Sequence, residues 1–227
     1  MKLIKVAASD AAKAYKEHRE SAESTGLTPL VLADYRFAET ILKRLQDSPA
    51  SGQKCLAKAL KMDGGTFLKK RREKEEKALK KMKESIEEME ESLLGKWPKK
   101  PRQSPQLSYL IDRSKEVGIL LLEIPPADSW QIPALIEFGG WDLVPLPEEQ
   151  AAVHRRWAEA YGSEVFAISY STIMCRVARP PMTKEDAIAL AWEHYRYCDD
   201  RVLQGSDDIS TLAAELLNAP EWYFWFD

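Results

Sequence analysis

Long apolar runs and cysteine are both scarce in this sequence of 227 residues. No apolar run approaches the ~20 residues that cross a bilayer, and the opening MKLIKVAASD lacks the apolar core of a secretory signal. Cys55, Cys175 and Cys198 are too few and too widely spaced for a disulfide framework or a zinc site. We therefore expect a cytoplasmic protein with no membrane segment and no bound metal.

Catalytic and nucleotide-binding motifs are also missing. The sequence contains no GxSxG, HExxH or CxxC motif, and its paired glycines lie in neither a GxGxxG nor a GxxxxGK[ST] context. Gly139-Gly140, beside Trp141, is more typical of a tight turn under an aromatic ring than of a phosphate-binding loop. We expect no cofactor.

Charge is present in quantity but is unevenly distributed. The formal net charge of −3 hides a basic half and an acidic half. Residues 1–117 hold 26 Lys and Arg against 18 Asp and Glu, a net charge of +8. Residues 118–227 hold 7 against 18, a net charge of −11. Such a split indicates two modules or two different surfaces, although a drift in surface composition would give the same numbers.

Residues 1–62 are predicted to form a β-α-β-α unit. Apolar runs predict strands at 2–8 and 29–33, and helical periodicity follows each of them. Asp34 stands where it can cap the second helix. Two strands separated by a helix favour a parallel pair with a right-handed crossover. A loop at 48–53 and a short helix complete the unit.

Residues 63–94 are predicted to form a long charged helical segment, uninterrupted from residue 67 to 94. Residues 69–83 carry nine positive and three negative charges, whereas residues 84–91 carry five negative charges and no positive ones. This order opposes the helix macrodipole, so the helix needs a packing partner. We favour packing on the body of the protein over an independent coiled coil. The helix offers a heptad seam for this contact: Leu79, Met82, Ile86, Met89 and Leu93.

Residues 95–117 begin with a stretch rich in proline and basic residues, which predicts a linker and a domain boundary. In residues 118–227 the apolar pattern predicts the order β-α-β-β-α-(α)-β, including a helix over 147–161. We expect a ferredoxin-like α/β sandwich with the aromatic strand 221–226 buried in its sheet. The predicted fold class of the chain is α+β.

His154, Cys198 and Asp199 are the candidates for catalysis. A histidine oriented by a carboxylate can act as a general base, and a thiol beside a cation can act as a nucleophile. The same residues fit a helix-packing histidine and a helix end at which Cys198 packs inward while Asp199 and Asp200 are solvated. We prefer this structural interpretation, so the sequence identifies no catalytic residue.

Acidic and aromatic residues of the second half point to a protein interface. Most of the seven tryptophans lie there, and rings in an acidic setting anchor protein interfaces more readily than they stack on nucleic acid. Acidic surfaces also speed the capture of basic partners. The candidate partner-binding residues are Asp142, Glu148, Glu149, Asp199, Asp200, Asp207, Asp208 and Trp141.

Several short motifs follow one another in the second half: FGGW at 138–141, PLPEE at 145–149, ARPP at 178–181, YRYCDD at 195–200 with Gln204-Gly205, and WYFWFD at 222–227. Together they resemble the bacterial DUF4253 family, a domain of unknown function, over about residues 118–227. Asp142 and Val144 stand where such proteins tend to have Asn and Cys. The resemblance implies domain limits and a bacterial origin, and it supplies no catalytic residue.

Three hypotheses of function follow. The first is a non-catalytic protein-binding module, most specifically a cytosolic bacterial immunity protein that neutralises a basic toxin or effector through an acidic face. The second is a hydrolase-like enzyme that uses His154 or Cys198 with nearby carboxylates. The third is a nucleic-acid contact through the basic residues 67–83, which the acidic run after them opposes. We favour the first, and the sequence leaves the oligomeric state open.

Overall fold

Strands from both halves of the chain form one mixed sheet. The computed structural model describes residues 1–227. Its strands are β1 (Lys2–Ala7), β2 (Thr28–Leu32), β3 (Glu116–Leu122), β4 (Ser163–Ile168), β5 (Thr172–Val177) and β6 (Glu221–Trp225). The sheet order is β1-β3-β2-β4-β5-β6, and β2 with β4 is its parallel pair. The mixture of helices with this sheet confirms the α+β class.

The pairing of the strands corrects two expectations. β1 and β2 do not pair with each other, because β3 lies between them and is antiparallel to both. Six of the seven residues of β3 are buried, so this strand needs neighbours on both edges. The strand order also departs from a ferredoxin-like sandwich: β2 separates β3 from β4, and the aromatic strand β6 is an edge strand that pairs with β5.

The helices cover both faces of the sheet. They are α1 (Ala11–Thr25), α2 (Tyr35–Asp47), α3 (Pro49–Ala59), α4 (Gly64–Met82), α5 (Ile86–Leu94), α6 (Leu107–Ile111), α7 (Ile132–Leu135), α8 (Pro147–Tyr161), α9 (Lys184–Tyr197) and α10 (Ile209–Leu216). Residues 126–131 form a 3-10 helix and residues 201–206 a π-helical turn. None of the helices is both long enough and apolar enough to cross a membrane.

Two hydrophobic cores flank the sheet. The larger contains residues of α2, α8, α9 and α10 around Trp157, Trp222 and Phe224. The smaller lies under α1 and α6 and contains Tyr15 and Phe166. Alternate residues of the strands divide between the two cores, as the period of a strand requires.

Several predicted helix ends are confirmed. Asp34 caps α2, accepting from the backbone N–H groups of Arg36 and Phe37 at 2.9 and 3.1 Å. The helix predicted over 147–161 is α8, and it ends at Gly162 in the left-handed region. The loop predicted at 48–53 is wrong in part, because α3 begins at Pro49, whose ring suits the first turn of a helix.

The predicted long helix is two helices. Lys83 adopts a φ of 63°, and Ser85 caps α5 by accepting from the N–H groups of Glu87 and Glu88. The division places lysines at the end of α4 and glutamates at the start of α5, which suits both macrodipoles. The heptad seam is interrupted there, and Met82 is 60% exposed. α4 packs on α8 and α9, as expected for packing on the body.

The predicted segments 1–62 and 118–227 contribute strands to the same sheet and side chains to the same cores. The division of the chain at 95–117 therefore stays a prediction about sequence segments. The segment itself contains α6, whose Leu107 and Ile111 are buried under the sheet.

Candidate functional site

Three of the sequence motifs meet where α9 and β6 end. The ring centroids of Tyr197 and Phe138 lie 5.5 and 6.3 Å from that of Phe226. The Cys198 thiol donates to the carbonyl oxygen of Trp225 at 2.9 Å. Segments 138–141, 195–200 and 222–227, which are far apart in the sequence, thus form one local structure.

A cavity of about 230 Å³ opens at this junction, and we call it the acidic cavity. Leu143 lines this cavity with 71% of its surface exposed, whereas the other two apolar lining residues, Val144 and Phe226, are buried. The cavity combines an apolar surface with several carboxylates. Its apolar surface is formed by Leu143, Val144, Tyr197 and Phe226, and its carboxylates are those of Asp142, Asp199, Asp200 and Asp227.

The carboxylates differ in how they are used within the chain. Asp200 accepts from the amide nitrogen of Gln204 at 2.7 Å and from the backbone N–H of Asp227 at 3.0 Å. The Asp227 carboxylate accepts from the same amide at 3.4 Å. The carboxylates of Asp142 and Asp199 form neither a hydrogen bond nor an ion pair within the chain. These two are therefore available to a partner.

The loop before the cavity is held by glycine. Gly139 and Gly140 have φ angles of 107° and 82°, and Asp142 has one of 46°. A Cβ atom on Gly139 would lie 2.3 Å from both the Gln150 amide nitrogen and the carbonyl oxygen of Pro145. The tight turn expected at Gly139-Gly140 is present, and it fixes the direction in which the chain presents Asp142.

A buried polar network supports the loop from below. The Gln150 amide nitrogen donates to the carbonyl oxygens of Phe138 and Pro145, both at 3.3 Å, so its Oε1 is left as an acceptor. The Tyr197 hydroxyl donates to that Oε1 and lies 3.0 Å from Nε2 of His154. His154 must then carry its proton on Nε2, since the hydroxyl proton is already used.

His154 is a structural histidine in this arrangement. With the proton on Nε2, Nδ1 of His154 is an acceptor. The Cys175 thiol, whose sulfur lies 3.6 Å away, is then a weak donor to it. Burial lowers the pKa of His154 to about 3 and raises the pKa of the Cys175 thiol to about 12. The ring stays neutral at physiological pH and links α8 to β5 and α9.

The catalytic hypothesis therefore gains no support from its two named residues. Both His154 and Cys198 are 1% exposed. Burial raises the pKa of the Cys198 thiol to about 12, which disfavours the thiolate. His154 bonds to Tyr197 rather than to Cys198 or an aspartate. No group of three or more His, Cys, Asp or Glu side chains is arranged to hold a metal ion.

Of the eight candidate partner-binding residues, three line the acidic cavity: Asp142, Asp199 and Asp200. The others have roles elsewhere in the fold. Asp208 caps α10 by accepting from Thr211 N–H at 2.7 Å, and the Glu149 carboxylate accepts from Leu146 N–H at 2.8 Å. The three remaining residues pair locally: Glu148 with Lys58 at 2.8 Å, Asp207 with Arg102 at 3.5 Å, and Trp141 edge-to-face with Phe138 at 5.1 Å between centroids.

Glu148 shows why an acidic residue in the sequence need not belong to an acidic face. Burial acts to raise its pKa, but the hydrogen bond and the charge of Lys58, together with a backbone hydrogen bond, outweigh this and hold the pKa below its usual range. Its charge is therefore balanced inside the molecule. The same holds for Glu75 and Glu90, which enclose Arg196 of α9 and fasten α4 and α5 to it.

The basic segment 67–83 divides in a similar way. Arg72 pairs with Glu90 at 2.7 Å, and Arg71 donates to the carbonyl oxygens of Arg196 and Leu143 at 3.1 and 3.4 Å. A lysine stripe remains outside, spaced four, three and four residues apart, exposed and without an ion pair: Lys70, Lys74, Lys77 and Lys81.

Sequence reasoning missed Leu143, Tyr197 and Asp227 as parts of the site. Tyr197 belongs to the motif at 195–200, but nothing in the sequence distinguishes it there from a buried core tyrosine. Asp227 is a single carboxylate after the aromatic strand, so no pattern of charges indicates a site. One pattern could have placed Asp227. Trp222, Phe224 and Phe226 alternate along the chain and are buried, so the next residue, Asp227, is expected on the face turned away from the core.

Comparison with known proteins confirms the resemblance for the second half of the chain. Residues 120–227 match the model of DUF4253, described as a domain of unknown function. No curated protein and no solved structure matches the chain. The family description assigns no activity, so a function has to be argued from the geometry.

Proposed function

We propose, taking residues 120–227 as a DUF4253 domain, that this protein is a non-catalytic protein-binding module whose acidic cavity receives a Lys or Arg side chain of a basic partner. The observation that carries the proposal is the pair of unengaged carboxylates, Asp142 and Asp199, beside an apolar surface in one cavity.

The size of the acidic cavity favours a side chain over a free ligand. Its volume of about 230 Å³ is below the roughly 300–1,000 Å³ of most small-molecule sites. Lys and Arg carry an apolar stem and a charged head. The stem would contact Leu143 and Val144, and the head would pair with Asp142 and Asp199. Charge-assisted bonds of this kind are about twice as strong as neutral ones.

The loop that forms the cavity is prepared in advance. Gln150, Tyr197 and His154 hold it from below through hydrogen bonds between buried groups. Arg71 holds the carbonyl of Leu143 from the side of α4. A surface that is already ordered loses less entropy when a partner binds, so the network supports a recognition role for the loop.

In its most specific form the partner is a basic toxin or effector, and the protein is a cytosolic immunity protein that neutralises it. The unengaged carboxylates of Asp142 and Asp199 in the acidic cavity support this form, because electrostatic complementarity raises the rate at which an oppositely charged protein is captured.

A photo-crosslinking experiment tests the proposal. A photoreactive amino acid is placed at position 143 of the full chain, and the protein is irradiated in extracts of the source cell. We expect one dominant crosslink, mapped by mass spectrometry to a Lys- or Arg-containing segment of the partner. Asp142→Asn with Asp199→Asn should weaken the purified complex at least tenfold.

The control pair is Asp10→Asn with Asp47→Asn, which removes the same charge from exposed positions away from the cavity. This variant should bind the partner within twofold of the wild type at physiological salt. Equal losses in both double variants would show that net charge, and not the cavity, is recognised. A crosslink to a segment without Lys or Arg would contradict the proposal.

Nucleic-acid binding through α4 is a second candidate, favoured by the lysine stripe. Lys70→Ala with Lys77→Ala should weaken binding of a mixed-sequence duplex, and added salt should weaken it further. Binding that does not respond to salt would exclude this candidate.

A further inference from the structure

A second cavity, of about 440 Å³, shares Asp200 with the acidic cavity, and we call it the aromatic cavity. Its walls come from five parts of the chain: residues 102–105, α6, residues 200–205, α10 and β6. π-Helical turns occur frequently at functional sites. The volume lies within the range of small-molecule sites, roughly 300–1,000 Å³, unlike that of the acidic cavity.

One side of the aromatic cavity consists of rings. Tyr109, Tyr223 and Trp225 all line it. The alternation of β6 sends Trp222 and Phe224 into the core and leaves Tyr223 and Trp225 half-buried on the other face. Tyr109 meets Tyr223 edge-to-face at 5.8 Å between centroids, yet 60% of its surface is exposed. Aromatic rings that line a cavity of this volume offer flat surfaces on which a planar ligand can stack.

Beside the rings lies a buried guanidinium with unused donors: Arg201 Cζ is 5.7 Å from the centroid of the Tyr223 ring. Arg201 is 6% exposed, and the hydrogen bond from its side chain goes to Glu215 at 2.9 Å. Its Nε is buried without a partner. The guanidinium has five N–H groups, and the chain supplies a side-chain acceptor only at Nη2. The cavity that Arg201 lines therefore contains a guanidinium with donors that have no acceptor in the chain.

The charges around Arg201 decide what kind of acceptor fits. Glu215, 9% exposed, already neutralises the guanidinium. The site thus needs neutral acceptor atoms more than a second negative charge, because an added carboxylate would face Glu215 at close range. A planar heterocycle with ring nitrogen and carbonyl acceptors on one edge meets this requirement, and an aromatic carboxylic acid does not.

We propose that the aromatic cavity binds the purine base of a free nucleoside or nucleotide. The base stacks among the rings of Tyr109, Tyr223 and Trp225 and turns an acceptor edge towards Arg201, as the O6 and N7 edge of guanine does towards arginine in other complexes. The exposed Arg102 lines the same cavity and pairs with the exposed Asp207 at 3.5 Å; if the ligand carries a phosphate, Arg102 pairs with the phosphate in place of Asp207.

Titration calorimetry on the full chain tests the proposal, with guanosine, guanosine 5′-monophosphate and benzoate as probes. We expect saturable binding of both purine compounds and none of benzoate. Tighter binding of the monophosphate, reduced by added salt and by Arg102→Ala, identifies a nucleotide as the ligand. Equal binding of the two identifies a nucleoside. Absence of saturable binding of both purine compounds, or benzoate binding as tight as guanosine, overturns the proposal.

Variants separate binding from folding. Tyr109→Ala changes an exposed side chain and should weaken binding at least fivefold while leaving the thermal unfolding midpoint almost unchanged. Tyr170→Ala, also an exposed tyrosine but outside the cavity, should bind as the wild type does. Equal affinity in the wild type and Tyr109→Ala counts against stacking.

Arg201→Lys keeps a positive charge for Glu215 but loses the planar set of donors. It should abolish the preference for guanosine over benzoate. Asp142→Asn with Asp199→Asn should leave purine binding intact, so failure of the partner-binding proposal and failure of this one are distinguishable.

Discussion

Tyr197→Phe is the substitution with the most definite expected cost, because one hydroxyl serves two buried groups. The hydroxyl donates to Gln150 Oε1 and lies 3.0 Å from His154 Nε2, and Tyr197, Gln150 and His154 are all fully or almost fully buried. Removing the oxygen leaves one acceptor and one donor without partners.

The magnitude follows from the count of orphaned groups. Each buried polar group left unpaired costs about 1–3 kcal/mol, so the free energy of unfolding should fall by about 2–6 kcal/mol. Folded domains have only about 5–15 kcal/mol in total. For a chain of this length, 1 kcal/mol corresponds to about 2–4 °C, which predicts a drop in Tm of roughly 4–24 °C.

Urea unfolding followed by tryptophan fluorescence measures this quantity. The matched control is Tyr170→Phe, since Tyr170 is 66% exposed and its hydroxyl makes no hydrogen bond. It should change the free energy of unfolding by less than about 0.5 kcal/mol. A cost for Tyr197→Phe within 0.5 kcal/mol of the control would refute the reasoning, because it would mean that water or another group satisfies Gln150 and His154 when the hydroxyl is removed.

Two further substitutions have clear expected outcomes. Gly139→Ala should destabilise the protein by more than Gly26→Ala, because both glycines have positive φ angles but only the first has atoms 2.3 Å from a new Cβ; comparable losses in urea unfolding would contradict this. His194 is fully buried among Trp157, Trp222 and Phe224 with neither ring nitrogen bonded, and burial lowers its pKa. In the unfolded chain His194 takes up a proton below about pH 6.5, whereas in the folded protein its lowered pKa keeps it neutral. The contribution of this group to the free energy of unfolding is therefore complete above that pH and falls by about 1.4 kcal/mol per pH unit below it. His194→Phe should therefore lose about 2 kcal/mol less than the wild type between pH 6.5 and pH 5; identical pH dependence in the two proteins would disprove the assignment.

Local signals in the sequence predicted the elements better than their assembly. Asp34 marks a helix start through its side-chain carboxylate, and Gly162 marks a helix end through its backbone freedom; both ends are confirmed. The break at Lys83 was predictable too, since Ser85 and Glu88 have the spacing of a capping box. The apolar seam that crosses the break concealed it.

Pairing between strands depends on residues far apart in the chain. Nothing near Thr28–Leu32 indicates that this strand pairs with both β3 and β4. The same limit applies to the site. Asp208 and Glu149 had the sequence signal of surface charges but cap helices, whereas Asp199 and Asp142 meet only because the 138–141 loop reaches the end of α9.

The place of β2 in the sheet has a consequence for any fragment of this protein. A chain cut down to residues 120–227 would lose β1 and β2 and keep only residues 120–122 of β3. The edge of β4 that pairs with β2 in the whole chain would then have no neighbour. The sheet thus extends beyond the region that sequence comparison delimits. A fragment without the first 33 residues would present an unpaired strand edge, and we expect it to pair with copies of itself.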